Sequence, residues 1–513
     1  MSATGEERLF EVFITAEEAY PALERQFLAA ESEIIAGFRV FDPWTTLVSD
    51  EAKAIGTCWF DLIVDTLRRG VRINITITDF DPVARMEMHL ASWRSVRALH
   101  AAGEASGQGA NLKARTAMHP ARVGFLPRLA LWPRSVSEVN AQLLKLKENV
   151  HANADRLSRT APGLRLLTTM KGKEMTARWY PPPPLVPVTH HQKLAVFDRE
   201  RLYIGGLDLD DRRYDTPAHD RPGEETWHDV QVLVTGPVVE EARQHLLTLD
   251  DALVGKSVPK PKKLLRTIST KRQFRLPFMS PRNNVDEIAQ AHRDAIDRSE
   301  ELVFFETQFF RDEPLARHLA ARAAAQDKLT LIMMLPAAPE EIAFSDDWGP
   351  DAAFGEHLQT KCVDIILDAF GDRAFIGSPV KPVSLETSGR DTHWGSPIIY
   401  LHAKVSIFDD HSAIVSSANL NGRSLSWDTE AGIWVETRQE VAKLKQRCFD
   451  HWLGAGSGPD FFDTKTALRA WTARGYENAM SEPEQRKGFV VPYNTEAARS
   501  DAQALPGVPP EMA

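Results

Sequence analysis

The sequence predicts an α/β protein made of two similar α/β/α halves, packed about a pseudo-twofold axis with a site between them. Three observations carry this. The stretches HHQKLAVFD and LHAKVSIFD share one polar spacing, His191, Lys193, Asp198 and His402, Lys404, Asp409, at an offset of 211 residues. The register continues downstream, where RLYIGGLDL (201–209) aligns with SAIVSSANL (412–420). Upstream of each motif, helix-like patterns alternate with strand-like runs, the signature of a sheet covered by helices.

Each element follows from its local pattern. AEEAYPALERQFLAAE (16–31) reads as a helix leading into the strand-like IIAGFRVF, and EAKAIGTCWFDLIVDTLRRG as a helix feeding VRINITITDFD. In the later half VDEIAQAHRDAIDRSE precedes LVFFETQFF, and ARHLAARAAAQDK precedes LTLIMMLP. This alternation predicts parallel-rich sheets. KLAVF and KVSIF are strand-like, and each is followed by a tight turn, a second strand and a loop of small residues. WYPPPPLVP (179–187) predicts a stiff, extended lead-in to the first motif.

The pattern divides the chain into a first half over 1–255, a basic connecting segment over 256–280, a second half over 281–475 and a polar tail over 476–513. KSVPKPKKLLRTISTKRQFR (256–275) carries eight Lys or Arg and no acidic residue. It reads as a solvated linker, or else as a patch for anionic headgroups. The tail is expected to pack loosely over the surface.

A chain of 513 residues is too long for one core. With 43% apolar and 26% charged residues its composition is that of a soluble protein, and a net charge of −10 disfavours a general nucleic-acid binder. Cys58, Cys362 and Cys448 lack metal-ligand spacing and read as buried free thiols. The amino terminus has neither the basic nor the apolar region of a secretory signal, and no run approaches a membrane span. A cytoplasmic protein, with peripheral membrane contact left open, is expected.

On a strand, residues two apart share a face, so His191 and Lys193 point together, as do His402 and Lys404. One such pair is an ordinary exposed strand; two at one offset are not. Brought together about a twofold axis, two lysines and two imidazoles make an anion site in which the lysines depress the imidazole pKa values. One imidazole then serves as nucleophile and the other as proton donor. Small residues at Gly205, Gly206, Ser416 and Ser417 let an anion approach the backbone, and Ser416, Ser417 and Asn419 offer donors. A phosphate fits this set, and no Cys/His/carboxylate cluster asks for a metal.

These motifs resemble the phospholipase D superfamily, and within it the plant and animal type phospholipases D. GGLDLDDRRYDTPAHD with TWHDV, FFETQFF, and SSANLNGRSLSWDTEAGI extend the resemblance, which covers about residues 10 to 475. Two departures stand out: Thr307 where the family has Asn, and Ser416 where it has Gly. A calcium-dependent lipid-binding domain and other regulatory lipid modules are not seen.

The resemblance implies a duplicated phospholipase D fold and hydrolysis of phospholipid headgroup esters to phosphatidic acid and alcohol, with transphosphatidylation to other alcohols. His191 attacks phosphorus to give a phosphohistidine, and His402 acts as acid and then base; the pseudo-symmetry leaves the opposite order open. Lys193 and Lys404 hold the non-bridging oxygens, while Asp229 and Glu430 orient the imidazoles. Asp198 and Asp409 brace the motifs, and Gln308 lies near the cleft. No cofactor is expected, calcium dependence stays open, and the partner is a phospholipid at a membrane surface. A duplicated chain completes its site as a monomer. The alternatives are a superfamily nuclease, a cardiolipin-synthase-like phosphatidyl transferase and, in another class, an inactive lipid-binding scaffold.

Overall fold

The computed structural model describes residues 8–149, 162–172, 174–345, 348–386, 389–454 and 456–512. The first seven residues, on which the secretory-signal expectation partly rests, and Ala513 of the tail lie outside them.

Seven strands of the first half form one sheet: Phe10–Ile14 (β1), Glu33–Phe38 (β2), Arg72–Thr78 (β3), Leu112–Ala117 (β4), Leu194–Phe197 (β5), Arg201–Gly205 (β6) and Val230–Thr235 (β7). Their order is β1-β7-β6-β5-β2-β3-β4. The second sheet holds Leu264–Thr270 (β8), Arg282–Asp286 (β9), Leu302–Thr307 (β10), Thr330–Met334 (β11), Ala374–Pro379 (β12), Lys404–Phe408 (β13), Ser412–Ser416 (β14), Glu430–Val435 (β15) and Val490–Pro492 (β16). Its order is β9-β8-β15-β14-β13-β10-β11-β12-β16. Without the edge strands β9 and β16, the two orders coincide strand for strand. The chain is a structural duplication.

The sheets are mixed rather than parallel-rich. Only β2-β3-β4 and β10-β11-β12 run parallel. The motif strands β5 and β13 turn back at once into β6 and β14, through turns with positive φ at Asp198 (51°), Arg199 (61°) and Asp409 (49°). Tight hairpins of this kind force antiparallel neighbours.

Alternation along the strands sorts the side chains into layers. Leu194, Val196, Leu202, Ile204 and Val232 join Phe304, Ile332, Val405, Ile407, Val415 and Ile433 in one core shared by both sheets. The intervening residues, such as Phe197 and Tyr203 or Phe305 and Phe408, face the outer helices of their own half. Helices Val238–Leu253 and Arg438–Leu453 enter the shared core and join the halves.

Two expectations about the connections are corrected. The segment read as a solvated linker contains β8, whose seven residues are all buried. β8 pairs with β15 as β1 pairs with β7, so the second half begins at Leu264, not at 281. Its flanking lysines masked a run, LLRTIST, that is suited to a strand. The tail read as loosely packed supplies β16, where Val490 and Val491 are fully buried against β12.

Asp198 and Asp409 fasten each motif strand to the sheet. The Asp198 carboxylate accepts the main-chain N–H groups of Glu31, Ser32 and Glu33 at 2.8–2.9 Å, just where β2 begins. Asp409 accepts those of Glu300, Glu301 and Leu302 at 2.7–2.9 Å, where β10 begins. Charge-assisted bonds to backbone amides are the strong kind.

Candidate active site

Both motifs lead into their strands across the seam between the halves. The His191 N–H donates to the Thr429 oxygen at 2.8 Å, and the Thr429 N–H to the Thr189 oxygen at 2.9 Å. In the mirror arrangement His402 N–H donates to the His228 oxygen at 2.8 Å, and His228 N–H to the Tyr400 oxygen at 2.9 Å. Each motif is thus stitched to the residue just ahead of the other half's carboxylate. The seam brings the His191 and His402 rings to 6.5 Å between centroids.

The carboxylates are exchanged. Asp229 of the first half accepts from His402 Nδ1 of the second at 2.5 Å, and Glu430 of the second half lies 3.1 Å from His191 Nδ1 of the first. His191 Nδ1 also lies 3.1 Å from the main-chain oxygen of Ser417. A carbonyl only accepts, so Nδ1 carries the proton and Nε2 keeps a lone pair. Lys193 Nζ sits 3.1 Å from that Nε2 and donates to the His191 oxygen at 2.7 Å. Lys404 donates to the His402 oxygen and lies 3.5 Å from Gln308 Oε1. Both imidazoles, both lysines and both carboxylates are buried.

Burial is the leading influence on all six groups. It holds His191 well below the ordinary imidazole range, with Lys193, Arg39 and Lys404 adding to the shift. His402 is lowered by burial, then by Lys404, Lys193 and Arg213. Burial lowers Lys193 to about 8 and Lys404 to about 7. It raises Asp229 to about 6 and Glu430 to about 8, against the pull of the lysines. Such paired, opposed shifts in a cleft are the electrostatics of acid–base chemistry.

The remaining candidates line the same cleft or support it. Gly206 is required where it is, because a β-carbon there would lie 2.2 Å from Asp229 Oδ1. Gly205 faces Gln231 and the Val230 oxygen equally closely. Ser417 donates to Glu430 and accepts from the Ala431 N–H at 3.1 Å, so it braces a carboxyl. The Ser416 hydroxyl is engaged with its own loop, accepting from Ala418 N–H at 3.2 Å. Asn419 Nδ2 donates to Gln308 Oε1 at 3.1 Å, and Gln308 Nε2 to the Tyr400 hydroxyl at 2.7 Å. Asp198 and Asp409 stand at the far ends of the motif strands, away from the imidazoles. Trp227 packs on His402 at 4.6 Å.

Two arginines, Arg39 and Arg213, escaped the sequence reading, the latter lying over the Trp227 ring at 3.6 Å and lowering His402. Arg39, just beyond β2, pairs with Asp208 at 3.8 Å and adds a positive charge beside His191 and Lys193. It occupies the place that Gln308 holds beyond β10, so its only signal was a departure from the repeat.

Several known proteins are similar to parts of this chain. The family profile described as "Cardiolipin synthase, PLD-like domain" matches residues 293–452. Phospholipase D alpha 1 of Cynara cardunculus is 23% identical in a match covering 46% of this chain and 44% of that protein. Phospholipase D1 of Schizosaccharomyces pombe is 22% identical, over 49% of this chain and 25% of its own. Over these stretches the chain is similar to proteins of the phospholipase D superfamily. The matched stretches span less than half the length of these relatives. A solved phosphatidylserine synthase of Haemophilus influenzae aligns over 86% of this chain and 85% of its own at 11% identity, with a TM-score of 0.48, too loose to add to the fold. The duplicated motif is common to the two halves of this chain, and Arg39 and Ser416 are among the positions where they diverge.

Proposed function

We propose that the cleft cleaves the headgroup ester of a phospholipid through a phosphohistidine, releasing the alcohol and then phosphatidic acid. The observation that carries this reading is the exchanged pairing of two histidines and two carboxylates around two buried lysines. His191 Nε2 attacks phosphorus; as the N–P bond forms, the bond to the headgroup oxygen breaks, and that oxygen takes the proton of His402. His402 then draws a proton from water, which attacks phosphorus and releases His191. An alcohol in place of water gives transfer. Lys193, Lys404 and Arg39 neutralise the charge that grows on the non-bridging oxygens.

The carboxyl groups support this order of roles. Asp229, at about 6, is largely ionised at neutral pH, and its charge opposes the burial and the lysines that lower His402. Glu430, at about 8, is largely neutral and leaves His191 uncharged.

A surface linked to the first motif through Arg122, which donates to the His119 oxygen, and His119, which packs on His190 at 5.4 Å, supports a lipid substrate. Leu126 N–H donates to the Leu276 oxygen at 3.1 Å and Gly124 N–H to the Phe278 oxygen at 2.8 Å, so two segments present Phe125, Leu126, Phe274, Leu276 and Phe278 together to solvent. Beside them a hollow of about 430 Å³ is lined by Pro120, Arg122, Lys271, Arg272, Gln273 and Arg275. Apolar side chains among cations suit an anionic bilayer surface. Among the described residues no helix is long and apolar enough to cross a membrane.

The test is incubation with mixed phospholipid vesicles and ethanol, with products identified by mass. Phosphatidic acid and phosphatidylethanol are expected, and both vanish in His191→Ala and in His402→Ala. Wild-type rates in both variants would overturn the mechanism. Cleavage of single- or double-stranded DNA without lipid turnover would favour the nuclease reading, and phosphatidyl transfer without hydrolysis the transferase reading.

A further inference from the structure

Adjacent residues of an extended chain point to opposite sides. Asp229 faces the cleft, so His228 faces the reverse side, into the seam between the halves. There it meets His219 from the loop ahead of β7 and His451 from helix Arg438–Leu453. One ring nitrogen from each of the three lies within 4.8 Å of the others. His219 Nε2 and His451 Nε2 are 3.1 Å apart.

The other ring nitrogens are already committed. His219 Nδ1 donates to Asp215 Oδ2 at 2.6 Å, and His228 Nε2 donates to Glu306 Oε1 at 2.5 Å. Asp215 is fixed as an acceptor by the main-chain N–H groups of Thr216 and Trp227 at 2.8 and 2.7 Å. These bonds set the tautomers. They leave the lone pairs of His219 Nε2 and His228 Nδ1 turned into the cluster.

His228 is fully buried, and its Nδ1 has no hydrogen-bond partner among the described residues. A shared proton would satisfy His219 and His451 but leave His228 Nδ1 orphaned. A cation satisfies all three. We propose that His219, His228 and His451 form a structural site for a divalent transition-metal ion, zinc by ligand chemistry, that pins the two halves together behind Asp229.

Imidazole nitrogens bound to zinc at about 2.0–2.1 Å in a tetrahedron stand about 3.3 Å apart, close to the separation of His219 and His451. A carboxylate on the far nitrogen of a ligating histidine is the usual second support of zinc, and here two of the three have one. Asp215 and Glu306, both fully buried, offset the ion's charge, while Arg447 pairs with Glu18 and Lys381 donates to the Arg221 oxygen. His451 is only partly buried, which leaves a path for the ion and a fourth position for water.

The test uses the full chain, stripped with a chelator and titrated with zinc chloride and, separately, cobalt chloride. One ion per chain by elemental analysis is expected, with the intense visible bands of tetrahedral cobalt and a rise in Tm on loading. His451→Ala should remove the ion and the Tm rise. Asp215→Asn should weaken zinc by about 10- to 100-fold, as loss of such supports does elsewhere. Should His451→Ala fail to fold, His219→Gln is read in the same way. Absence of stoichiometric metal overturns the proposal, as does wild-type affinity in the His451 or His219 variant. So does loss of the ion in His191→Ala, which would place it in the cleft.

Discussion

In the first half the strand after the motif ends at Gly205, opposite Gln231; in the second it ends at Ser416, opposite Gly432. The side chain and the space have changed strands. A β-carbon on Gly205 would lie 1.9 Å from Gln231 Oε1, and one on Gly432 would lie 2.4 Å from the Ser416 β-carbon. Each half therefore keeps one bulky and one bare position in this cross-strand pair, which explains how serine fits in the second half where the first has glycine. The same drift separates Arg39 with Asp208 from Gln308 with Asn419, and Asp229 from Glu430. Topology has stayed twofold while charge has not. Under the proposed mechanism that asymmetry gives two equivalent histidines different work.

The carboxylates test this comparison most severely. Asp229→Asn should lower kcat by about 10³–10⁴, since a histidine that must carry a proton loses its counter-charge and its tautomer. Glu430→Gln, replacing a group already largely neutral, should cost much less, about 10- to 100-fold. Equal losses would mean that the halves are not differentiated.

The lysines come next. An ammonium binds an anion only while protonated, and protonation is complete below the pKa and lost above it. With Lys404 at about 7 and Lys193 at about 8, inhibition by inorganic tungstate should be strong at pH 6 and weaken progressively to pH 9. A flat profile over that range would place the charge elsewhere.

The smallest effect concerns the glycine exchange. Gly432→Ala should destabilise the fold by about 1–3 kcal/mol, the usual range for overpacking. Adding Ser416→Gly should recover part of the loss, because the two positions are in contact and their effects should not add. Chemical denaturation of the four variants in the cycle measures this.

The duplication and the motif residues were legible because repetition at a fixed offset is visible in residue identities alone. Repetition also set the limit of that reading. Arg39 stands where the other half has Gln308, so residue identity did not mark it as part of the repeat. The strand at Leu264 was hidden by the lysines around it, although Leu264, Ile268 and their polar neighbours all enter the sheet. Val490 and Val491 were lost in a tail judged by its Pro, Glu and Ala content. The cluster of His219, His228 and His451 has no spacing to detect, since its third member arrives on a distant helix across the seam.

The swap of carboxylates between the halves has one more consequence. Either half expressed alone would hold a histidine deprived of its partner and a carboxylate with nothing to orient. Two copies of one such half, related by a twofold axis, would restore both dyads at a stroke. A chain of half this length would thus work only as a pair, whereas joining the two halves in one chain lets each change without the other.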